Sequence, residues 1–100
     1  MDFKEVQAKG LARCLVAEGV DPGKLHVHLS ELEPGTSAHP PHAHQGTEAF
    51  YVLEGSGTID VEGGRHSLGP NHAIVIDAAR QHGLANTGST RMRYLVITTQ

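Results

Sequence analysis

The sequence is poor in cysteine, aromatic residues and cations, and each shortage removes a class of function. Cys14 is the single cysteine of 100 residues, so an intramolecular disulfide and any thiolate-rich zinc or iron–sulfur site are excluded. Lys and Arg together number 8 against 11 acidic residues, a formal charge of −3. The basic residues are scattered, and only Arg91 and Arg93 lie close together. Without a polybasic patch, neither nucleic acid nor an anionic membrane is an expected partner. Apolar runs such as Ala73 to Ile76 and Tyr94 to Ile97 are far too short to span a bilayer as a helix. Met1-Asp2-Phe3-Lys4 opens no apolar signal region, so the expected location is cytoplasmic.

What is present is histidine. Its 8 copies equal all Lys and Arg combined, in a chain with 4 residues of the Phe, Tyr and Trp type. A chain this short holds one core, so a single domain over 1–100 is expected, with an N-terminal arm over about 1–24 and a barrel over about 25–98. Lacking disulfides, such a chain leans on tight barrel packing or on a partner subunit, and a homodimer is the expected assembly.

Turn formers recur at Asp21-Pro22-Gly23, Glu33-Pro34-Gly35, Gly55-Ser56-Gly57, Gly63-Gly64, Gly69-Pro70-Asn71 and Asn86-Thr87-Gly88. Between them lie strand-like runs: Leu11 to Val16, Leu25 to Leu32, Glu48 to Leu53, Thr58 to Val61, Ala73 to Ile76, His82 to Ala85 and Met92 to Thr98. Leu25, Val27 and Leu29 alternate with His26, His28 and Ser30, the mark of a strand with one packed and one polar face. The reading is an all-β sandwich or barrel of antiparallel strands. The one helix expected is a short piece over Phe3 to Ala8.

The chemistry concentrates between Gly35 and Gly55. In an extended segment His42 and His44 project to one side about 7 Å apart, so two imidazoles can converge on one ion. Gln45-Gly46-Thr47 permits a bend that returns Glu48 beside them. A fourth ligand must come from another strand, and His82 is the best placed, with Asn86 four residues later. Three imidazoles and one carboxylate suit Mn, Fe, Ni, Zn or Cu without choosing among them. Glu48 precedes the apolar run Ala49 to Leu53, where an inward carboxylate without a cation is costly. Phe50 shares its parity and should pack inward with it.

These residues resemble the cupin superfamily. Gly35, six residues, His42-Ala43-His44, three residues, Glu48, six residues and Gly55 is similar to the first cupin motif, with one extra residue before His42 assigned to the Pro40-Pro41 turn. Asn71, Asp77-Ala78-Ala79, His82 and Asn86 are similar to the second, with Asn71, Asp77 and Ala79 in place of its Gly, Pro and Gly. The resemblance covers roughly Leu25 to Ile97. It implies a double-stranded β-helix, or jelly-roll, with one divalent transition metal held by His42, His44, Glu48 and His82 and with coordination positions open to a small-molecule ligand or substrate. It also implies dimerisation through an N-terminal strand, for which Leu11 to Val16 is available.

The reaction classes compatible with such a site are isomerase or lyase, dioxygenase and decarboxylase chemistry on a small polar molecule such as a sugar acid or keto acid. The alternative is a non-catalytic cupin that binds or senses a small ligand around a structural metal. A sugar phosphate is disfavoured because no lysine follows Lys24. Catalytic acid–base candidates are His39, beside the first motif, and His28 or His26 if the histidine face of that strand points inward. Arg91 and Arg93 are available to a substrate carboxylate or, more commonly, to solvent. His66 and His72 are expected at the surface.

Overall fold

Nine strands and no helix make up the computed structural model, which describes residues 1–100. They are β1 Phe3–Val6, β2 Cys14–Ala17, β3 Leu25–Leu32, β4 Thr47–Glu54, β5 Gly57–Val61, β6 Gly64–Leu68, β7 Ala73–Asp77, β8 His82–Ala85 and β9 Met92–Thr99. β3, β9, β4 and β7 form one antiparallel sheet in that order, and β6, β5 and β8 form a second. The irregular segment before β4 continues the second sheet beyond β8. Ser37 bridges Ala85, and His42 and His82 exchange backbone hydrogen bonds of 2.9 and 2.8 Å.

Period-two alternation sends every second residue of β9 and β4 between the sheets. Met92, Tyr94 and Val96 meet Phe50 and Val52 from the first sheet with Ile59, Leu68 and Leu84 from the second, and all are buried. This is the packed interior of an antiparallel jelly-roll. Register sets the residues in rows: His26, Thr98, Glu48 and Ile76 lie side by side across β3, β9, β4 and β7, with His26 exposed at the edge, and His28, Val96, Phe50 and Ile74 form the next row inward.

The residues before β3 differ from the expected helix. Phe3 to Val6 is a strand, paired antiparallel to β2 from Phe3↔Ala17 to Val6↔Cys14. A helix of this length is marginal in water, whereas the turn at Gly10, with φ 77°, lets the segment fold back on the apolar Cys14 to Ala17. The expected strand over Leu11 to Val16 accordingly begins three residues later. β6 has no counterpart among the expected strands, because Gly64-Arg-His-Ser-Leu68 has almost no apolar content, and it forms because β5 supplies a full antiparallel ladder. No residue before Ser30 is buried. The radius of gyration, 14.3 Å, exceeds the roughly 13 Å of a compact chain this long, which agrees with an arm carried outside the core.

Candidate metal centre

Four side chains meet at one end of the space between the sheets. Glu48 is the second residue of β4 and His82 starts β8, and both are buried. His42 and His44 come from the segment that pairs with β8, so the bridge between His42 and His82 sets two imidazoles opposite each other, ring centroids 4.7 Å apart. Gly46 makes the bend that brings Glu48 back: its φ is 102°, and a Cβ there would collide with the Thr99 carbonyl. Only glycine satisfies both conditions. Candidate ligand atoms of His42, His44, Glu48 and His82 all lie within 4.8 Å of one another. Metal–ligand bonds of about 2.1 Å place ligand atoms about 3 to 4 Å apart, so a small contraction suffices.

The hydrogen bonding decides what the cluster can hold. His82 Nδ1 lies 2.7 Å from the Arg80 carbonyl and His44 Nδ1 lies 3.0 Å from the Gln45 carbonyl. A carbonyl only accepts, so in each ring Nδ1 carries the proton and, in the neutral ring, Nε2 presents a lone pair. His82 Nε2 stands 2.9 Å from Glu48 Oε1, and His44 Nε2 stands 3.6 Å from the same oxygen. The shorter contact looks like an ion pair by distance, yet Glu48 Oε1 and His82 Nε2 make no hydrogen bond. Both atoms are therefore buried side by side without a hydrogen-bond partner. Buried acceptors without a partner are expensive, and a divalent cation is the group that satisfies all of them. His42 is held below the ordinary imidazole range, first by burial and then by His39, His82 and His44, while Glu48 opposes the shift. The lowered value keeps it neutral and able to ligate.

The second motif reaches the same geometry by a different turn. Asp77 Oδ1 accepts from Ala79 N at 3.0 Å and the Asp77 carbonyl accepts from Arg80 N at 3.0 Å, an Asp-built turn that delivers His82 without Pro or Gly. Asn71 takes the left-handed conformation expected of it, with φ 63°. Asn86 is buried and fully satisfied, donating to the Leu32 and Thr90 carbonyls and accepting from Gly88 N. Its work is to tie strand ends together, away from the cluster.

A cavity of about 490 Å³ opens beside the cluster, walled by His42, His44 and Glu48, by Phe50, Tyr94 and Val96 at its floor, and by His28, Ser30 and Lys9 opposite. Of the acid–base candidates, His28 lines this cavity, lowered from its ordinary value by burial and then by Lys9. His39 stands at the mouth, exposed and stacked on His42 at 3.8 Å. His26 is exposed and borders a different hollow, under the arm. Arg91 and Arg93 face away and pair with Glu31, and Arg93 also with Glu54. His66 is exposed on β6, and His72 accepts from Gly69 N at 2.8 Å, which closes a turn.

Sequence reasoning missed Lys9, Ser30 and Tyr94. The last two were legible in principle, since Ser30 shares the parity of His28 and Tyr94 that of Met92 and Val96. Lys9 carried no local signal, being brought to the cavity by a tertiary contact of the arm.

The model of the cupin domain matches residues 28–98, so the chain belongs to the cupin family. Among solved structures, a protein from Thermus thermophilus is similar at 26% identity and TM-score 0.71, over 80% of this chain and 76% of that one. A sugar phosphate isomerase of the cupin superfamily from Silicibacter pomeroyi is similar at 26% identity and TM-score 0.70, over 82% of this chain but 53% of its own length. A salicylate 1,2-dioxygenase variant from Pseudoaminobacter salicylatoxidans shares the fold at 19% identity and TM-score 0.69, over 77% of this chain and 21% of that one. Among curated proteins, no sequence matches.

Proposed function

We propose that this cupin holds one divalent transition metal at His42, His44, Glu48 and His82 and acts as a metal-dependent enzyme on a small polar organic acid such as a sugar acid or keto acid. The observation that carries the reading is the buried pair of unpartnered acceptors, His82 Nε2 and Glu48 Oε1, with His42 and His44 beside them. When bound, such an ion polarises a carbonyl or stabilises an enolate, the chemistry of isomerases, lyases and decarboxylases, and with iron it also serves oxygenation. The protein's own contribution is the cavity. Phe50 and Val96 exclude water from the inner side, Tyr94 brings a phenol that burial holds protonated above its ordinary range, and His28 brings an imidazole that stays neutral. A neutral imidazole and a phenol facing one substrate space are suited to moving a proton. A cytoplasmic homodimer is the setting we propose for it.

The test is metal analysis of protein purified without a histidine tag. About one transition ion per chain is expected, and the double variant H42A/H44A should contain none. Stoichiometric metal retained in that variant contradicts the ligand set. Absence of turnover or oxygen uptake on a panel of sugar acids, keto acids and diketones, combined with a ligand-induced rise in melting temperature, would favour a binding module over an enzyme.

A further inference from the structure

The residues that precede the barrel reach its mouth. The loop between β1 and β2 lies along the free edge of β3, where the Lys9 carbonyl accepts from Leu29 N at 2.9 Å. The next residue, Gly10, is seated so closely that a Cβ would collide with the Leu29 carbonyl, and its φ of 77° already favours glycine. The loop is therefore locked to β3, and Lys9 becomes part of the wall of the metal-cluster cavity, facing His28.

Charge distribution singles Lys9 out. Arg13 pairs with Glu5, Arg80 with Glu62, and Arg91 and Arg93 with Glu31, and of the cations in no ion pair, Lys4, Lys9, Lys24 and Arg65, Lys9 alone lines this cavity. Glu31, the second carboxylate of the cavity wall, is thus already neutralised, and Glu48 faces His82 and His44. Lys9 takes part in no ion pair. An unpaired ammonium across a cavity from a cluster of metal-type ligands is a place for a molecule carrying an anion at one end and an oxygen donor at the other.

We infer that Lys9 is the substrate-recognition residue of this cupin, binding the carboxylate of a small keto or hydroxy acid whose other oxygen faces His42, His44, Glu48 and His82. This rests on the metal-site reading above and adds to it the class of substrate and a residue from outside the barrel. A phosphate ester fits less well, because a phosphate dianion is ordinarily held by several converging donors, and the cavity has one free cation and no helix N-terminus to add backbone donors. The apolar floor of Phe50 and Val96 suits the short carbon chain between the two polar ends.

The experiment is calorimetric titration of the metal-loaded protein with pyruvate, dihydroxyacetone phosphate and neutral dihydroxyacetone, in the wild type, Lys9→Met and Lys9→Arg. Metal content is measured in parallel. Lys9→Met should keep its metal, lose pyruvate affinity by about tenfold or more, and leave dihydroxyacetone unchanged. Lys9→Arg should recover most of the pyruvate affinity. Rising salt should weaken pyruvate binding in the wild type and much less in Lys9→Met. Unchanged pyruvate affinity in a metal-replete Lys9→Met overturns the role of Lys9 alone. A wild type that binds no pyruvate, or that binds only the phosphate ester through Lys9, overturns the carboxylate assignment. A wild type that takes up no metal overturns both this inference and the metal-site reading.

Discussion

Single residues here carry chemistry through their partners more than through their identity. His82 is a ligand candidate because the Arg80 carbonyl claims its Nδ1 proton and leaves Nε2 bare beside Glu48. Gly46 carries no functional atom, yet it sets where Glu48 sits. Gly46→Ala should destabilise the fold by about 1–3 kcal/mol through the forced φ, with a further cost from the Thr99 carbonyl in its way, and should lower metal content as β4 shifts. Urea unfolding and metal analysis of one preparation check both effects, and a variant of wild-type stability contradicts the account. The candidate ligands His42, His44 and Glu48 were legible in the sequence because spacing along an extended chain is almost their geometry. Tyr94 and Lys9 were not, because one needed the parity of β9 to be tied to that of β4 and the other needed the arm to be placed.

At the level of elements, turn chemistry decides register. β5 and β6 join through Glu62 and Gly63, which have φ of 48° and 84°. Two successive positive φ values belong to the tight hairpin turn that favours Asn-Gly. Glu62 is strained there, and its exposed contact with Arg80 at 3.3 Å returns little. Glu62→Asn should therefore stabilise the protein by about 0.5–1 kcal/mol, read as a higher urea midpoint with an unchanged slope. A lower midpoint would mean that the ion pair outweighs the backbone strain. The glycine and proline punctuation of the sequence placed most strands correctly. It misplaced β1 as a helix because the first eight residues have no turn former, and it passed over β6 because a polar edge strand shows no hydrophobic period.

For the molecule as a whole, pH acts through histidine. His28 has a folded pKa below its ordinary 6.5 because burial and Lys9 disfavour its charged form. The unfolded chain then binds the proton more readily than the folded one, so stability is full above about pH 6.5 and falls as the medium is acidified below it. The metal-free protein should lose melting temperature below about pH 6.5, and His28→Gln should remove part of that slope. Added Mn, Ni or Zn should raise the melting temperature at about pH 7.5, because an ion that binds only the folded state stabilises it by mass action. The rise should vanish below about pH 6, where ligating imidazoles are lost to protons. A metal-induced rise that persists unchanged at about pH 4 contradicts imidazole ligation.

The division between sequence and tertiary structure follows from the range of the interactions involved. Strand period, turn residues and the spacing from His42 through Glu48 are local, so the sequence alone determined the all-β architecture, the family resemblance and the four residues offered as ligands. Which histidine of β3 faces the cavity, how an Asp-built turn delivers His82, and that Lys9 reaches the barrel mouth depend on contacts between distant segments. Those were decided only when β3 paired with β9 and the arm loop closed on the edge of β3.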